Sequence, residues 1–434
     1  MLKIKFNVSL RIVTEIMFSI TLIAILNPYF LWTGYKNGIF SANGIPILKI
    51  LYIISIGLSL LYIIQHKTIN QTYLKLFLEL LVCLFVLQFI CGLRILKLEE
   101  IVIASILNFI LIGCFVLFPQ EIKINIYRLF LLFFVVSIIP GIIYSVITFL
   151  GINIPYTTIT AASEIKQNSF VTYIQYPFAV QISKSYDILG NLNRFRLCGI
   201  YDEPGRVGTV CALFLVAEEL KINKNWKNRL LFIGGCLSLS LAFFIIIFIY
   251  FCYYLVKERR YKYFIWMIIL FSAFIIFLNI PFRNVALVAF QNRFTITATG
   301  LSGDNRTNEA FESLFATFLN KSNMFNLLFG LGDGSMYQIL TEKNIEAGSS
   351  YKTIIYDFGI IGTILYITWI VRYAFYHIKA NKKIVGYTLI NILIFIINLY
   401  QRPTTFYPPY LLILLGGIVY QLTQVRPKKK EIVK

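Results

Sequence analysis

The sequence predicts an all-α polytopic membrane protein with about 11–12 transmembrane helices and two large extracytoplasmic loops. Three observations carry that class. Over 434 residues the composition is 58% hydrophobic with a mean hydropathy of +0.75, and long apolar runs recur from end to end. Most of these runs are apolar all round, where a soluble core helix would keep a polar face. Basic residues gather in the short connectors, while many of the 39 Phe and 28 Tyr lie near the run ends, as interfacial belts do.

The net charge of +20 would suggest nucleic acid on a soluble protein. Here the positive-inside rule accounts for it, and nucleic acid is set aside as a partner. The seven cysteines (83, 91, 114, 198, 211, 236, 252) lie mostly inside apolar runs and form no CxxC. They read as small core residues, Cys198 included, so no metal site, disulfide framework or cofactor is expected.

In chain order, Met1 to Arg11 is a basic start and Ile12 to Leu31 reads as a retained first helix. Further spans are expected over 47–65, 73–93, 101–118 and 128–150, which closes an N-terminal set of five (1–150). A first external loop covers 151–205, and central helices follow within 206–280, at 206–220, 230–255 and 263–280. A second external loop covers 281–352, and 353–434 holds spans at 353–374, 384–400 and 406–424 with a basic tail. Lys3, Lys5, Arg11, Lys67, Lys75, Lys123, Arg128 and the tail (Arg426 to Lys434) mark cytoplasmic ends, which puts 151–205 outside.

One stretch breaks the alternation. Lys221 to Arg229 and Lys257 to Lys262 both look cytoplasmic, yet a single run of about 27 residues joins them, long for one crossing and short for two. Gly234-Gly235 and Ser238-Leu239-Ser240 interrupt that run, so two short helices meeting near Ser238 to Ala242 are expected. Broken helices are tolerated at membrane depth where they line a cavity.

The chemistry is expected at Asn193 to Thr209, where three arginines, two adjacent carboxylates and three glycines precede an apolar run. Charge at a bilayer edge is expensive and marks a functional site by default. A helix cap explains Asp202, Glu203 and Pro204, but not Arg206, whose charge opposes the helix dipole. Arg194, Arg196 and Arg206 converging on a helix N-terminus would make a phosphate or diphosphate site. Glu203 would stay ionised beside them, as a base or as a group that holds them in place.

The second loop contributes Ser302-Gly303-Asp304-Asn305-Arg306, an amphipathic run from Asn308 to Leu319, and Phe329-Gly330-Leu331-Gly332-Asp333-Gly334. With no strand ahead of these glycines, turns explain them better than nucleotide binding. Glu346 to Lys352 then leads into a helix that carries Asp357, either an interfacial polar residue or a group facing the first cluster.

Arg196-x-x-Gly199-x-x-x-Glu203-Pro204-Gly205-x-x-Gly208 resembles the motif of the Wzy/O-antigen ligase superfamily of bacterial polysaccharide enzymes. The Ser238–Ser240 break, Ser302 to Arg306, Gly330-Leu331-Gly332, Ser349 to Tyr351 and Gly359 to Gly362 follow in the same order, so the resemblance covers roughly 190–370. It implies an inverting, metal-independent glycosyltransferase of GT-C type on the outer face of the bacterial cytoplasmic membrane. Such enzymes join oligosaccharide repeats carried on undecaprenyl diphosphate. Repeat-unit polymerases make O-antigen, capsule or exopolysaccharide, and a chain-length regulator protein is a candidate partner.

By that resemblance Arg196 and Arg206 bind the diphosphate, with Arg194 and Arg306 as further candidates and Glu203 as base or arginine-positioning group. Asp304 and Glu346 stand in reserve as bases, and Tyr351 and Asp357 complete the candidate substrate-binding set. Ligases of the superfamily carry a histidine in the second loop. This chain has only His66 and His377, both expected at the cytoplasmic interface. A polymerase is therefore the first reading, a ligase the close alternative, and a lipid-linked oligosaccharide flippase the alternative from another class. A transporter should hold its charges near the bilayer midplane; here they cluster on external loops.

Overall fold

The computed structural model describes residues 9–31, 47–66, 70–90, 98–150, 152, 154–160, 171–184, 196–281, 291, 296–297, 300–301, 309–342 and 350–425. It is mostly helical (80%), a helical membrane protein by its apolar helices. Helices α1 (Leu10–Ile25), α2 (Ile47–His66), α3 (Gln71–Leu84, continued as a π-helix over Phe85–Ile90), α4 (Leu98–Leu117) and α5 (Gln120–Phe149) form the N-terminal set. After a small sheet come α6 (Pro204–Ala217), α7 (Trp226–Leu237), α8 (Leu241–Lys257) and α9 (Tyr261–Asn279). The second loop carries α10 (Glu309–Lys321), α11 (Met324–Phe329) and α12 (Ser335–Glu342). It is followed by α13 (Tyr351–Ala380), α14 (Val385–Gln401) and α15 (Pro408–Val425).

Among the described residues, four stretches are long and apolar enough to cross a membrane by length and composition: Ile47–His66, Gln120–Thr148, Tyr351–Ala380 and Lys382–Gln401. That is fewer than the 11–12 expected, partly because the central apolar runs are divided. At 14, 12 and 17 residues, α6, α7 and α8 reach about 21, 18 and 25 Å, short of a hydrocarbon core of about 30 Å. Helix α6 is the axis of the molecule. Every one of its residues except Arg206 is buried, and α7, α8 and α15 pack around it.

The expected break near Ser238 is present. Helix α7 ends at Leu237, Leu239 takes a positive φ of 47°, and α8 starts at Leu241. The two helices form a hairpin whose tip lies at the start of α6, where a Cβ on Gly208 would sit 2.4 Å from Ser240 Cβ. Its far ends lie near the end of α6. Tyr387 Oη donates to Ala217 O at 2.8 Å, and a Cβ on neighbouring Gly386 would be 2.8 Å from Tyr253 Oη. The basic stretches 221–229 and 257–262 therefore flank the same end of the bundle.

Strands β1 (Thr157–Thr160), β2 (Val171–Tyr176) and β3 (Ala179–Lys184) form a small antiparallel sheet in the first loop, beside the helices. Thr157 pairs with Gln175, and Tyr173 with Ile182. β-Branched and aromatic residues fill these strands, as the pleated surface favours. The first helix stops at Ile25 rather than Leu31. The chain turns at Asn27 (φ 60°), and Pro28 then bridges to Tyr201. His377 is fully buried, not interfacial, whereas His66 is exposed and stacks on Tyr62 at 4.2 Å.

Candidate functional site

The turn before α6 is threaded between helices. Gly199 (φ 61°) reverses the chain, and a Cβ on Gly141 of α5 would strike its Cα at 2.6 Å, so the turn seats directly against that helix. Val180 N donates to Gly199 O (2.8 Å), which ties the sheet to the same turn. Leu197 N donates to Leu237 O (3.0 Å) and Arg196 Nε to Ser238 O (3.1 Å), which tie it to the hairpin tip. Arg196 therefore contacts the helix break that the sequence marks.

Glu203 is the N-cap residue of α6 with Pro204 at the first turn, yet its side chain makes no cap hydrogen bond. It turns instead to Arg402, which follows α14 directly: Nη1 donates to Oε2 at 2.8 Å and Nη2 to Oε1 at 2.7 Å. This is a two-point, fork-to-fork pair. The side chains are 26% and 11% exposed, so water screens the pair only partly. Burial alone would lower the Arg402 pKa, but the Glu203 carboxylate more than offsets it and the guanidinium ends above its ordinary value.

Gly205 makes room for this contact. A Cβ there would lie 2.8 Å from Arg402 Nη2 and 3.3 Å from Glu203 Oε1.

Arg206 forms the neighbouring rung. Its Nη1 lies 3.0 Å from Asp202 Oδ1 and donates to Leu26 O at 2.7 Å. The Asp202 carboxylate thus offsets the unfavourable position of a cation in the first helical turn. Asn27 Nδ2 donates to Asp202 Oδ2 (3.1 Å), Tyr173 Oη to Asp202 O (2.6 Å), and Tyr407 Oη to Ile25 O (2.8 Å). The end of α1, the sheet, the start of α6 and the 402–407 connector are thereby locked into one polar hub. Among the described residues, three guanidiniums (Arg196, Arg206, Arg402) and two carboxylates (Asp202, Glu203) gather at this hub.

The second loop docks close by. Tyr351 opens α13, is half exposed, and its ring lies 6.4 Å from that of Tyr400, two residues before Arg402. Asp357 is buried and bonded to the second loop itself. It accepts from Gly334 N (3.1 Å), Ser335 Oγ (3.0 Å) and Met336 N (3.1 Å), and so caps α12 from outside. Beneath α10 and α12, Phe311, Phe315, Phe318, Met336, Leu340 and Tyr356 form a separate apolar cluster. Arg194, Asp304, Arg306 and Glu346 lie outside the described residues.

Arg402 is absent from the sequence-based candidates. Its signal was a lone arginine in the connector between the last two apolar runs, a connector that the charge rule puts outside. Among the described residues no group of three or more His, Cys, Asp or Glu could hold a metal ion. No family model matches the chain, and no curated protein or solved structure matches it either.

Proposed function

We infer that the protein is a membrane glycosyltransferase that joins undecaprenyl-diphosphate-linked oligosaccharide repeats into a polysaccharide on the outer face of the bacterial cytoplasmic membrane. The observation that carries this reading is the ladder of guanidinium–carboxylate pairs, Arg206–Asp202 and Glu203–Arg402, at the mouth of α6. A lipid diphosphate lies at the membrane surface, and forked donors preorganised there suit a departing diphosphate.

In the reaction, an acceptor hydroxyl oxygen bonds to the anomeric carbon of the donor repeat. The bond from that carbon to the diphosphate oxygen breaks, undecaprenyl diphosphate leaves with the electron pair, and the hydroxyl proton is released to water at the mouth of the site. Arg196, Arg206 and Arg402 would offset the charge that develops on it. Glu203 has both carboxylate oxygens engaged by Arg402, which favours its role as the group that holds Arg402 in place. The exposed Tyr351 ring near Tyr400 offers an apolar face for a sugar ring at the same mouth.

The flippase reading draws less support, because the charged pairs sit at helix mouths rather than midway along α6 or α14. The ligase reading is weakened because neither histidine lies near the hub: His66 stacks on Tyr62, and His377 is buried among Tyr73, Tyr373 and Tyr376. The test is a deletion strain whose polysaccharide ladder is run on a gel beside its extracted lipid-linked intermediates. Single repeats that reach the surface without a ladder support the polymerase. Repeats trapped on the inner leaflet would replace it with the transporter.

A further inference from the structure

The hairpin of β2 and β3 ends in a turn that neither the fold nor the proposed reaction explains. Tyr176 pairs with Ala179, so the turn itself is Pro177 and Phe178. Proline fixes φ at about −65° in the first position, and Phe178 takes a φ of 59° in the second. Glycine or asparagine normally fills that second position, because a bulky side chain is strained there. Phe178 is also 73% exposed, more than any other large apolar side chain among the described residues. A strained backbone that holds an aromatic ring clear of the protein points to a contact outside the chain.

The position of the turn identifies that contact. Strand β3 packs on α5, whose 120–148 stretch is long and apolar enough to cross a membrane. Gln181 Nε2 lies 3.5 Å from Ser145 Oγ, and Val180 N donates to Gly199 O in the turn seated on Gly141. Towards Phe178 the hairpin thus runs from the level of Ser145 to that of Gly141, about 6–12 Å short of the helix end at Phe149. Ile143 and Val146, on the same turns of α5, are exposed. Tyr176 stacks on Tyr144 of α5 at 4.6 Å, and the exposed Tyr156 lies edge-on to Tyr176 at 6.2 Å. Tyrosines grouped near the end of a membrane-length helix mark the headgroup level. The turn carries no charge. The hairpin's one charged residue, Lys184, stands at the opposite end of β3, about 17 Å along the strand.

We propose that this turn is inserted into the lipid leaflet at the hub's end of the bundle. The Phe178 ring lies among the acyl chains, and Tyr144, Tyr156 and Tyr176 lie at the headgroups. Acyl chains cover the ring as they cover Ile143 and Val146, so the lipid-facing surface of α5 continues onto the hairpin. Pro177 has no N–H, which spares the tip one donor that hydrocarbon could not satisfy. Tyr173 of the same sheet donates to Asp202 O, so the anchored turn also sets the height of the arginine hub over the lipid. This anchoring depends on the membrane placement of α5 and is independent of the reaction.

The test uses the full-length protein in phosphatidylcholine nanodiscs whose acyl chains are brominated either near the headgroup or near the chain end, with tryptophan fluorescence as the readout. Bromine quenches tryptophan on contact, and wild type supplies the background of the four native tryptophans. The emission that Phe178→Trp adds should be blue-shifted and should lose most of its intensity in brominated lipid. The emission that Tyr156→Trp adds should be quenched by bromine near the headgroup and hardly at all by bromine near the chain end. That shallower reporter leaves the turn unaltered and decides the matter if Phe178→Trp fails to fold. Added emission that no brominated lipid quenches overturns the anchor. A red-shifted maximum would then place the turn in water, and a blue-shifted one would place it against protein.

Discussion

Gly205 occupies an ordinary helical position, and a side chain there would require the paired Arg402 and Glu203 side chains to shift. A methyl group would press against Arg402 Nη2 at 2.8 Å. Gly205→Ala should therefore push the guanidinium off Glu203 and cost about 1–3 kcal/mol of stability together with most of the activity, checked by thermal unfolding beside the polysaccharide ladder. Glu203→Gln leaves Arg402 largely buried without its counter-charge, an expected loss of about 2–4 kcal/mol. Arg402→Lys should restore little, because a point charge cannot match both carboxylate oxygens. A ladder of wild-type length from Arg402→Lys would mean that charge alone matters. The double variant Glu203→Gln/Arg402→Gln should be less destabilised than the sum of its single changes, since neither leaves a charge stranded.

Among the secondary-structure elements, the second loop is held to α13 by backbone geometry and one carboxylate. Gly330 (φ 74°) and Gly359 (φ 67°) cross so closely that a Cβ on either would lie 2.3 Å from a carbonyl oxygen of the other segment, Asp357 O or Leu328 O. Gly359 also interrupts α13 with a non-helical turn, which frees carbonyls that Leu331 N and Gly332 N take up from Tyr356 O and Asp357 O. Asp357→Ala removes three accepted hydrogen bonds and should cost about 1–3 kcal/mol. The expected signature is faster limited proteolysis within 330–342 while the apolar helices stay protected. Equal cleavage rates in the variant and wild type would remove the anchoring role. The α7–α8 hairpin depends on contact of the same kind, since a Cβ on Gly235 would overlap the Phe243 ring at 2.0 Å.

For the molecule as a whole, the hairpin returns the chain to the end from which it came, which resolves the charge alternation without a basic connector on the wrong side. Single cysteines at Asn225 and Tyr261 should accept a membrane-impermeant label from one side. One at Met324, which is strongly exposed, should accept it from the other. Labelling of 225 and 261 from opposite sides would require α7 and α8 to act as one long tilted crossing. The buried spine of α6 explains why hydropathy finds that segment but not its surroundings. It is apolar because it lies inside protein, and its 14 residues do not need to cross the bilayer alone.

Most helix positions were legible in the sequence because a long apolar run at a membrane can satisfy its backbone only as a helix. The Gly234-Gly235 and Ser238–Ser240 interruption was legible for the same reason: small and hydroxyl residues in an otherwise bulky run weaken it locally. The strands of the first loop passed unread, since four- to six-residue runs rich in Thr, Tyr and Val carry a weak periodic signal beside the helices. Pro204 at the helix start and the paired acids before it were readable from local rules, but where the acids point was not. Glu203 could have capped its own helix; it reaches instead to an arginine 199 positions away in sequence. Asp357 likewise turned to α12, and His377 packed against Tyr373 in the interior. Pairings of this kind depend on which helix ends share one face of the bundle, and that follows from how the helices pack against α6, a long-range property that local sequence does not carry.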